Sequence, residues 1–274
     1  MNDRRDPEYV ETIVVVGQAG LSIGYHLVRH ALPFVILEAN ERIGDSWRKR
    51  WDSLRLFTPA RYDGLAGMPF PAPVYSFPTK DEVADHLESY ASRMALPVRT
   101  SVRVDELSRN GKRFGLTSGE LRFEAENVVV AMSSHQTPWV PPFAPTQSSC
   151  MPSSTITPPS LSHHGMPLVR IKPKDIVAAG IRRVPRVVGV QDGLPMLEDG
   201  RILDVANVVW CTGSRPELSW IDLPVFEEGR PMHQRGAIAT EPGFYFVGLD
   251  FLYAAGVLVA AAAILALFFV RREA

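Results

Sequence analysis

Cysteine is nearly absent from this sequence, whose 274 residues contain only Cys150 and Cys211. Two isolated thiols provide no disulfide framework, and because no C-x-x-C pair is present, a dithiol redox relay is excluded. Such cysteine use is typical of a reducing compartment, and the amino terminus lacks the apolar core of a signal peptide. We therefore expect a cytoplasmic protein.

An excess of positive charge is also lacking. The formal net charge is −1 at pH 7, and the 29 lysines and arginines do not form one dense run. Proteins that bind nucleic acid through its phosphates need a basic surface, so no nucleic-acid partner is expected. No metal site is expected either, because the adjacent His163 and His164 have no third ligand at a useful spacing.

The clearest pattern lies in residues 12–38, with the sequence TIVVVGQAGLSIGYHLVRHALPFVILE. A run of β-branched residues meets a glycine turn, an amphipathic helix follows, and a second apolar run ends at Glu38. This pattern predicts two buried parallel strands joined by a helix. Backbone amides at the start of such a helix bind anions. The predicted pyrophosphate-binding residues are Gly17, Gln18, Ala19 and Gly20.

Glu38 follows the glycine turn by about 20 residues, where a carboxylate accepts the hydroxyls of an adenosine ribose. An acid here repels a 2′-phosphate and so favours FAD or NAD. The turn departs from the full G-x-G-x-x-G pattern, because the first glycine would fall on Val15. Two interpretations stay open: Val15 takes that place, or the segment has lost residues before Gly17. A β-α-β unit that binds no ligand is the alternative.

Further elements follow along the chain. Residues 79–95 predict a helix that begins at the N-cap Thr79. Residues 98–104 predict a strand, and the next residues predict a hairpin that turns at Ser118 and Gly119 and leads into a buried strand.

The hairpin pattern returns in residues 193–214, which predict a turn at Asp199 and Gly200 and a second buried strand at residues 207–210. An internal repeat of this kind indicates that the chain returns twice to equivalent positions in a sheet. The sequence therefore predicts an α/β fold with a central parallel sheet and additional antiparallel hairpins.

Four segments are expected. Residues 1–137 and 168–250 form the two parts of one domain, and residues 138–167, rich in proline and serine, form a linker. Residues 251–274 form an apolar C-terminal helix, in which the 20 residues 251–270 carry no charge and are long enough to span a bilayer. A closing helix buried in the domain is the alternative to a membrane anchor.

Several stretches together point to a family. They are VVVGQAGLSIGYHL, VILEANERIGDSWRKRWDSLRLFTP, GMPFP with SFPTKDEVADHLESYA, and NVVWCTGSRPELSWI with GFYFVGLDFLYA. With them the chain resembles the flavin-containing monooxygenase-like oxidoreductases, in particular the CzcO-like group, over most of residues 12–137 and 168–254. The resemblance implies a Rossmann-like FAD-binding domain. It also implies that NADPH reduces the flavin and that one oxygen atom of O2 is transferred to a small organic substrate.

The resemblance also assigns residues to the cofactor. Trp47, Arg48 and Asp52 would line the flavin, Val104 would contact the adenine through its backbone, and Asp250 would lie near the ribityl phosphate. These five residues join the glycine turn and the ribose acid as the predicted cofactor-binding residues. No catalytic residue is assigned, because the flavin carries most of the chemistry in such enzymes.

The sequence departs from the family's pattern where NADPH should bind. No second G-x-G-x-x-G occurs between Trp139 and Asp204, and that stretch is too short for a complete second dinucleotide-binding domain. We therefore expect FAD binding, while the use of NADPH stays open and a separate protein is a candidate electron donor. The alternative is a non-catalytic remnant that binds FAD or an adenine nucleotide, with its tail as a membrane anchor.

Overall fold

The computed structural model describes most of the chain, namely residues 6–15, 17–133, 136–144, 173–210 and 212–248. The chain separates into two compact units, a larger one of Met1–Ser134 with Glu217–Ala274 and a smaller one of His135–Pro216. The segment boundaries expected from the sequence stay a prediction.

The predicted β-α-β unit is confirmed. Strand β1 (Glu8–Val15), helix α1 (Gln18–Arg29) and strand β2 (Phe34–Leu37) follow one another in the larger unit. β1 and β2 run parallel, with Val15 opposite Leu37. The last four residues of β1 and the last three of β2 are buried, which explains why both strands are uninterrupted apolar runs.

Two helices and one short 3-10 helix follow β2. They are α2 (Asp45–Arg48), the 3-10 helix Ala60–Tyr62 and α3 (Lys80–Arg93). α3 begins with a capping box, in which the Thr79 hydroxyl accepts from the Glu82 amide and the Glu82 carboxylate accepts from the Thr79 amide. The helix predicted for residues 79–95 is therefore confirmed, with its N-cap.

The remaining elements continue along the chain in both units. In order, they are β3 (Val98–Arg99), β4 (Glu106–Asn110), β5 (Arg113–Ser118), β6 (Leu121–Val130), β7 (Thr137–Pro138), α4 (Pro173–Ala178), β8 (Val187–Gln191), β9 (Leu194–Leu197), β10 (Ser214–Arg215), β11 (Ile221–Asp222), β12 (Phe226–Glu227), β13 (Arg230–Pro231) and β14 (Phe244–Phe246).

One eight-stranded sheet forms the centre of the larger unit. Its order is β11-β4-β5-β6-β1-β2-β3, and β14 pairs with the last residues of β6. β14, β6, β1, β2 and β3 are joined by parallel pairing, whereas β4, β5 and β6 form antiparallel hairpins. The predicted α/β fold is therefore confirmed, as is the hairpin turn at Ser118 and Gly119.

The sheet is covered on both faces by apolar side chains. Alternate residues of a strand point to opposite faces. Val14 of β1 joins a buried cluster with Leu27 of α1 and Leu87 of α3, whereas Ile13 joins a second cluster with Phe114 of β5. The carboxyl ends of β1, β2, β6 and β14 are thus held between two apolar layers.

In the smaller unit, β8 pairs with β9 and β7 pairs with β10, both antiparallel. The predicted turn at Asp199 and Gly200 is present, because the Gly200 amide donates to the Leu197 carbonyl. The strand predicted at residues 207–210 is wrong: those residues form no strand, and Val209 is 53% exposed. A short apolar run becomes a strand only where a neighbouring strand pairs with it.

Strand β3 is shorter than the sequence predicts. The strand predicted for residues 98–104 is limited to Val98–Arg99. Within the part of the chain that the structure describes, none of the helices has the length and hydropathy of a membrane span. The apolar segment 251–270 lies outside the described residues, as does most of the predicted linker 138–167.

Candidate functional site

The site predicted from the sequence begins where β1 meets α1. Gly17 is the N-cap residue of α1 and contributes no side-chain cap, and the first turn of the helix contains no acidic residue. The first amides of a helix have no acceptor within the helix, and its dipole places partial positive charge there. The start of α1 therefore has the properties of an anion site, which fits a diphosphate.

Val15 occupies the place of the first glycine in the fingerprint. It is the last residue of β1, it is 5% exposed, and its carbonyl accepts a hydrogen bond of 2.8 Å from the Ala131 amide. Strand pairing thus continues to a residue that in the full fingerprint belongs to the turn. The connection from β1 to α1 consists of Val16 and Gly17, of which Val16 lies outside the described residues.

Neighbouring strand tips approach α1 closely. A Cβ atom on Gly17 would lie 2.7 Å from the carbonyl oxygen of Ala131, which directly follows β6. Gly248, two residues after β14, has a φ of +75°, and a Cβ atom there would lie 3.0 Å from the Cβ of Ala19. Only glycine permits both approaches without displacement. The sequence interpretation did not identify these two contacts.

Glu38 lies at the tip of β2, next to the tip of β1. Its side chain is buried, being 7% exposed, and its Oε1 accepts hydrogen bonds of 2.8 Å from both the backbone amide and the Nδ2 of Asn40. Burial raises the pKa of Glu38, and the two hydrogen bonds from Asn40 oppose that rise. Glu38 therefore lies at the sheet edge where β1 ends opposite Leu37, and the two hydrogen bonds from Asn40 hold its carboxylate.

Two polar neighbours of Glu38 were missed by the sequence interpretation. Besides Asn40, Lys49 belongs to the group, because its Nζ donates a hydrogen bond of 2.9 Å to the Oδ1 of Asn40. The signal for Asn40 was local, since an asparagine two residues after an acid can turn back onto it. No sequence pattern indicated that Lys49, nine residues after Asn40, would contact the Asn40 side chain.

Trp47 and Val104 contribute mainly to packing. Trp47 is half-buried against the cluster that includes α1 and α3, and Val104 is half-buried against the cluster on the other face of the sheet. Val104 follows a segment that is bound to the tip of β2, because the Val102 amide donates a hydrogen bond of 2.9 Å to the Glu38 carbonyl. Their assigned contacts with flavin and adenine stay predictions.

Arg48 is directed to other groups of the protein. Its side chain is 17% exposed, and its guanidinium links α2 to α3. The groups that accept its hydrogen bonds are the carbonyl of Ile43 and the carboxylates of Asp45, Asp85 and Glu88.

Asp52 is fully exposed, and the Lys80 Nζ lies 3.8 Å from its carboxylate. The structure does not bring Asp52 or the Arg48 guanidinium to Glu38, and their roles beside a flavin stay predictions. Asp250 lies outside the described residues. Among the residues that the structure describes, no group of three or more histidine, cysteine or acidic side chains is arranged to hold a metal ion.

The profile of the pyridine nucleotide-disulphide oxidoreductase family matches residues 12–165. The chain belongs to this family. It is 28% identical to the protein named uncharacterized oxidoreductase CzcO-like of Geobacillus kaustophilus, over 91% of this chain and 94% of that protein. It is 24% identical to the protein named uncharacterized oxidoreductase CzcO of Bacillus subtilis, over 90% of this chain and 93% of that protein.

The alignment with the Geobacillus protein spans 327 positions, more than the 274 residues of this chain. That relative therefore contains residues with no counterpart here. A third relative, the probable indole-3-pyruvate monooxygenase YUCCA7 of Arabidopsis thaliana, is 37% identical over 38% of this chain and 24% of its own length.

Solved structures share the fold. A flavin-containing monooxygenase from Stenotrophomonas maltophilia superimposes with a TM-score of 0.79, at 23% identity, over 95% of this chain and 98% of that chain. The bacillithiol disulfide reductase Bdr (YpdA) from Staphylococcus aureus gives a TM-score of 0.69, at 13% identity, over 94% and 99%. The Rossmann-like α/β fold expected from the resemblance is therefore confirmed.

Proposed function

We propose that the protein is an FAD-dependent oxidoreductase of the flavin monooxygenase-like class, which oxygenates a small organic substrate with electrons from NAD(P)H or from a separate donor protein. One observation carries the FAD assignment. The buried Glu38 directly follows β2 at the sheet edge where the adjacent strand β1 leads into α1, and the start of α1 has no side-chain cap and no acidic residue in its first turn. Membership of a pyridine nucleotide-disulphide oxidoreductase family supports the redox assignment.

The residues present fit the ADP part of FAD. Backbone amides of Gly17, Gln18 and Ala19 would hold the diphosphate, because the Gly20 amide already donates to the Gly17 carbonyl at 2.9 Å. Glu38 would accept the ribose hydroxyls. The same carboxylate would repel a 2′-phosphate, which disfavours NADP at this site. When bound, FAD supplies two-electron chemistry and, in its reduced form, reactivity toward O2. The chain's own contribution would be to bind the cofactor, to orient it and to keep water away from its reactive ring.

A second candidate function is FAD binding without turnover. It is favoured by the missing second glycine motif between Trp139 and Asp204, together with the residues of the Geobacillus relative that this chain lacks. A chain without its own nicotinamide site would need another reductant. A separate electron donor protein would supply it in the first candidate, and no reductant is needed in the second.

The two candidates are separated by anaerobic spectroscopy of the purified full chain reconstituted with FAD. A flavin spectrum that bleaches on addition of NADPH or NADH supports an enzyme with its own nicotinamide site. A flavin spectrum that bleaches only with dithionite supports a binder or an enzyme with a separate donor. To distinguish a binder from an enzyme with a separate donor, donor proteins are added to the preparation that only dithionite bleaches. Incorporation of ¹⁸O from ¹⁸O2 into a product then indicates an enzyme. A preparation that is colourless after FAD has been added and the unbound FAD removed contradicts the proposal.

A further inference from the structure

We propose that Asn40 is the positioning residue of the adenosine-ribose site, because it fixes the Glu38 carboxylate so that one oxygen is left for the ribose hydroxyls. This inference rests on the proposed FAD function and deepens it. Both hydrogen bonds from Asn40 go to the same oxygen, Oε1 of Glu38. The other oxygen, Oε2, accepts no hydrogen bond from the residues that the structure describes, so it is the oxygen available to a ligand.

The orientation of the Asn40 amide is determined by its two charged neighbours. Its Nδ2 lies 2.8 Å from the Glu38 carboxylate, which only accepts hydrogen bonds when ionised. Its Oδ1 lies 2.9 Å from the Lys49 ammonium, which only donates. Rotating the amide by half a turn would place oxygen against carboxylate and nitrogen against ammonium. The pair of neighbours therefore permits one orientation, and that orientation holds Glu38.

The backbone on which this arrangement stands is also fixed. The Asn40 carbonyl accepts a hydrogen bond of 2.8 Å from the Ser101 amide, and the Glu38 carbonyl accepts one of 2.9 Å from the Val102 amide. The Glu38 amide donates in turn to the Arg99 carbonyl at 2.9 Å. Glu38 and Asn40 are thus bound through their backbones to the end of β3 and to the residues that follow it. Because this backbone is fixed, the two hydrogen bonds from Asn40 also restrict the position of the Glu38 carboxylate.

The charged groups that face Glu38 come from α2 and the residue after it. Burial raises the pKa of Glu38, the Asn40 hydrogen bonds lower it, Asp45 raises it and Lys49 lowers it. Among the described residues, β3 and the residues after it bind Glu38 and Asn40 only through backbone groups. Removing the Asn40 side chain would therefore raise the pKa of Glu38 further and would also release the carboxylate to rotate.

The test compares FAD affinity in the full-length wild type, Asn40→Ala, Asn40→Asp and the matched control Asn110→Ala. Asn110 also donates from Nδ2 to a carboxylate, Glu124, at 2.9 Å, but this pair is exposed on the hairpins of the sheet. Dissociation constants are measured for FAD and for FMN across neutral and mildly acidic pH. FMN lacks the adenosine ribose and reports on the rest of the site.

We expect Asn40→Ala to bind FAD about tenfold more weakly, the size expected for a lost hydrogen bond to a charged group. Its FMN affinity should stay unchanged, and the pH at which FAD binding weakens on acidification should move upward. Asn40→Asp places a second carboxylate against Glu38. Its FAD affinity should improve as the pH falls, because a proton shared by the pair restores the missing donor. Asn110→Ala should behave as wild type.

Three results separate this inference from the function on which it rests. A wild type that binds no FAD at any pH overturns the proposed function and the inference with it. A wild type that binds FAD, with both Asn40 variants matching Asn110→Ala at each pH, overturns the inference alone. Equal losses of FAD and FMN affinity in Asn40→Ala also overturn it, because they indicate a general structural role. Should Asn40→Ala not fold, the opposite pH trend of Asn40→Asp decides the question.

Discussion

Gly17 and Ala131 lie so close together that a single added carbon atom would not fit: a Cβ on Gly17 would come within 2.7 Å of the Ala131 carbonyl oxygen. The contact joins the start of α1 to the end of β6, and it involves backbone that cannot easily move aside. Gly17 has an extended backbone conformation, with φ −144° and ψ −167°, so its requirement for glycine comes from space alone.

Gly17→Ala should therefore destabilise the protein and displace the start of α1. We expect a loss of about 1–3 kcal/mol in the free energy of unfolding, typical of overpacking, together with weaker FAD binding. Gly115→Ala is the matched control, since a Cβ there would meet its nearest atoms at 3.8 Å. Denaturant unfolding and FAD titration of both variants provide the check. Equal unfolding free energies and equal FAD affinities of the two variants would show that Gly17 is not required for lack of space.

Glu38→Gln should stabilise the ligand-free protein at neutral pH while weakening FAD binding. Burial raises the pKa of Glu38 above its ordinary value of 4.5, so the folded chain holds this proton more tightly than the unfolded chain. The free energy of unfolding therefore falls as the pH rises from 4.5 through the pKa of Glu38 in the folded chain. Above that pKa the free energy of unfolding stays at its lower value. Glutamine keeps the shape without the charge.

The measurement is urea unfolding of ligand-free wild type and Glu38→Gln as a function of pH. The stability difference should be largest near neutral pH and should vanish below about pH 4, where the carboxyl is protonated in both states. A variant that is less stable than wild type at neutral pH would show that the Asn40 hydrogen bonds outweigh the burial of Glu38.

Arg48→Met should reduce stability more than Arg42→Met, although both arginines pair with Glu88. The Arg48 side chain is 17% exposed and also binds Asp45 and Asp85, whereas the Arg42 side chain is 58% exposed. We expect a loss of about 2 kcal/mol in the free energy of unfolding for Arg48→Met and a smaller loss for Arg42→Met. Thermal unfolding measures both. Loss of FAD affinity in Arg48→Met without loss of stability would instead support a direct contact with the flavin.

His86→Phe should make the protein less sensitive to acid. His86 is 2% exposed, its ring nitrogens have no hydrogen-bond partner among the described residues, and its ring lies 4.8 Å from that of Phe70. Burial lowers the pKa of His86 below 6.5. The unfolded chain therefore binds this proton first, and stability is lost as the pH falls below 6.5 toward the folded pKa.

Phenylalanine cannot be protonated and suits the aromatic surroundings of this position. The unfolding free energy of His86→Phe, followed from pH 8 to pH 5, should fall by less than that of wild type. Parallel curves for the two proteins would mean that other groups carry the acid sensitivity.

The parts of the fold that the sequence predicted correctly depend on local interactions. β1, α1 and β2 follow from apolar runs and a glycine turn, and the start of α3 follows from the Thr79 and Glu82 capping box. The strand expected at residues 207–210 depends on a pairing partner, which composition does not reveal. The hairpin pattern was therefore recognisable, whereas its place in a sheet was not.

The site shows the same division. The positions of the glycine turn and of Glu38 in the fold were predictable, because their spacing along the sequence is set by one β-α-β unit, whereas their contacts with a cofactor stay predictions. The Arg48 side chain was not, since its partners Asp85 and Glu88 lie on a helix that is distant in sequence. The role of Asn40 depends on the approach of Lys49 and of the segment after β3, which only the folded structure shows.

In the proposed function, the adjoining tips of β1 and β2 bind the ADP part of FAD. Calorimetric titration of purified wild type and Glu38→Ala with FAD and with FMN is the test. We expect wild type to bind FAD more tightly than FMN, and we expect Glu38→Ala to lose about tenfold or more in FAD affinity without a change in FMN affinity. Absence of FAD binding by the wild type, or equal affinities for FAD and FMN that Glu38→Ala leaves unchanged, would contradict the proposed function.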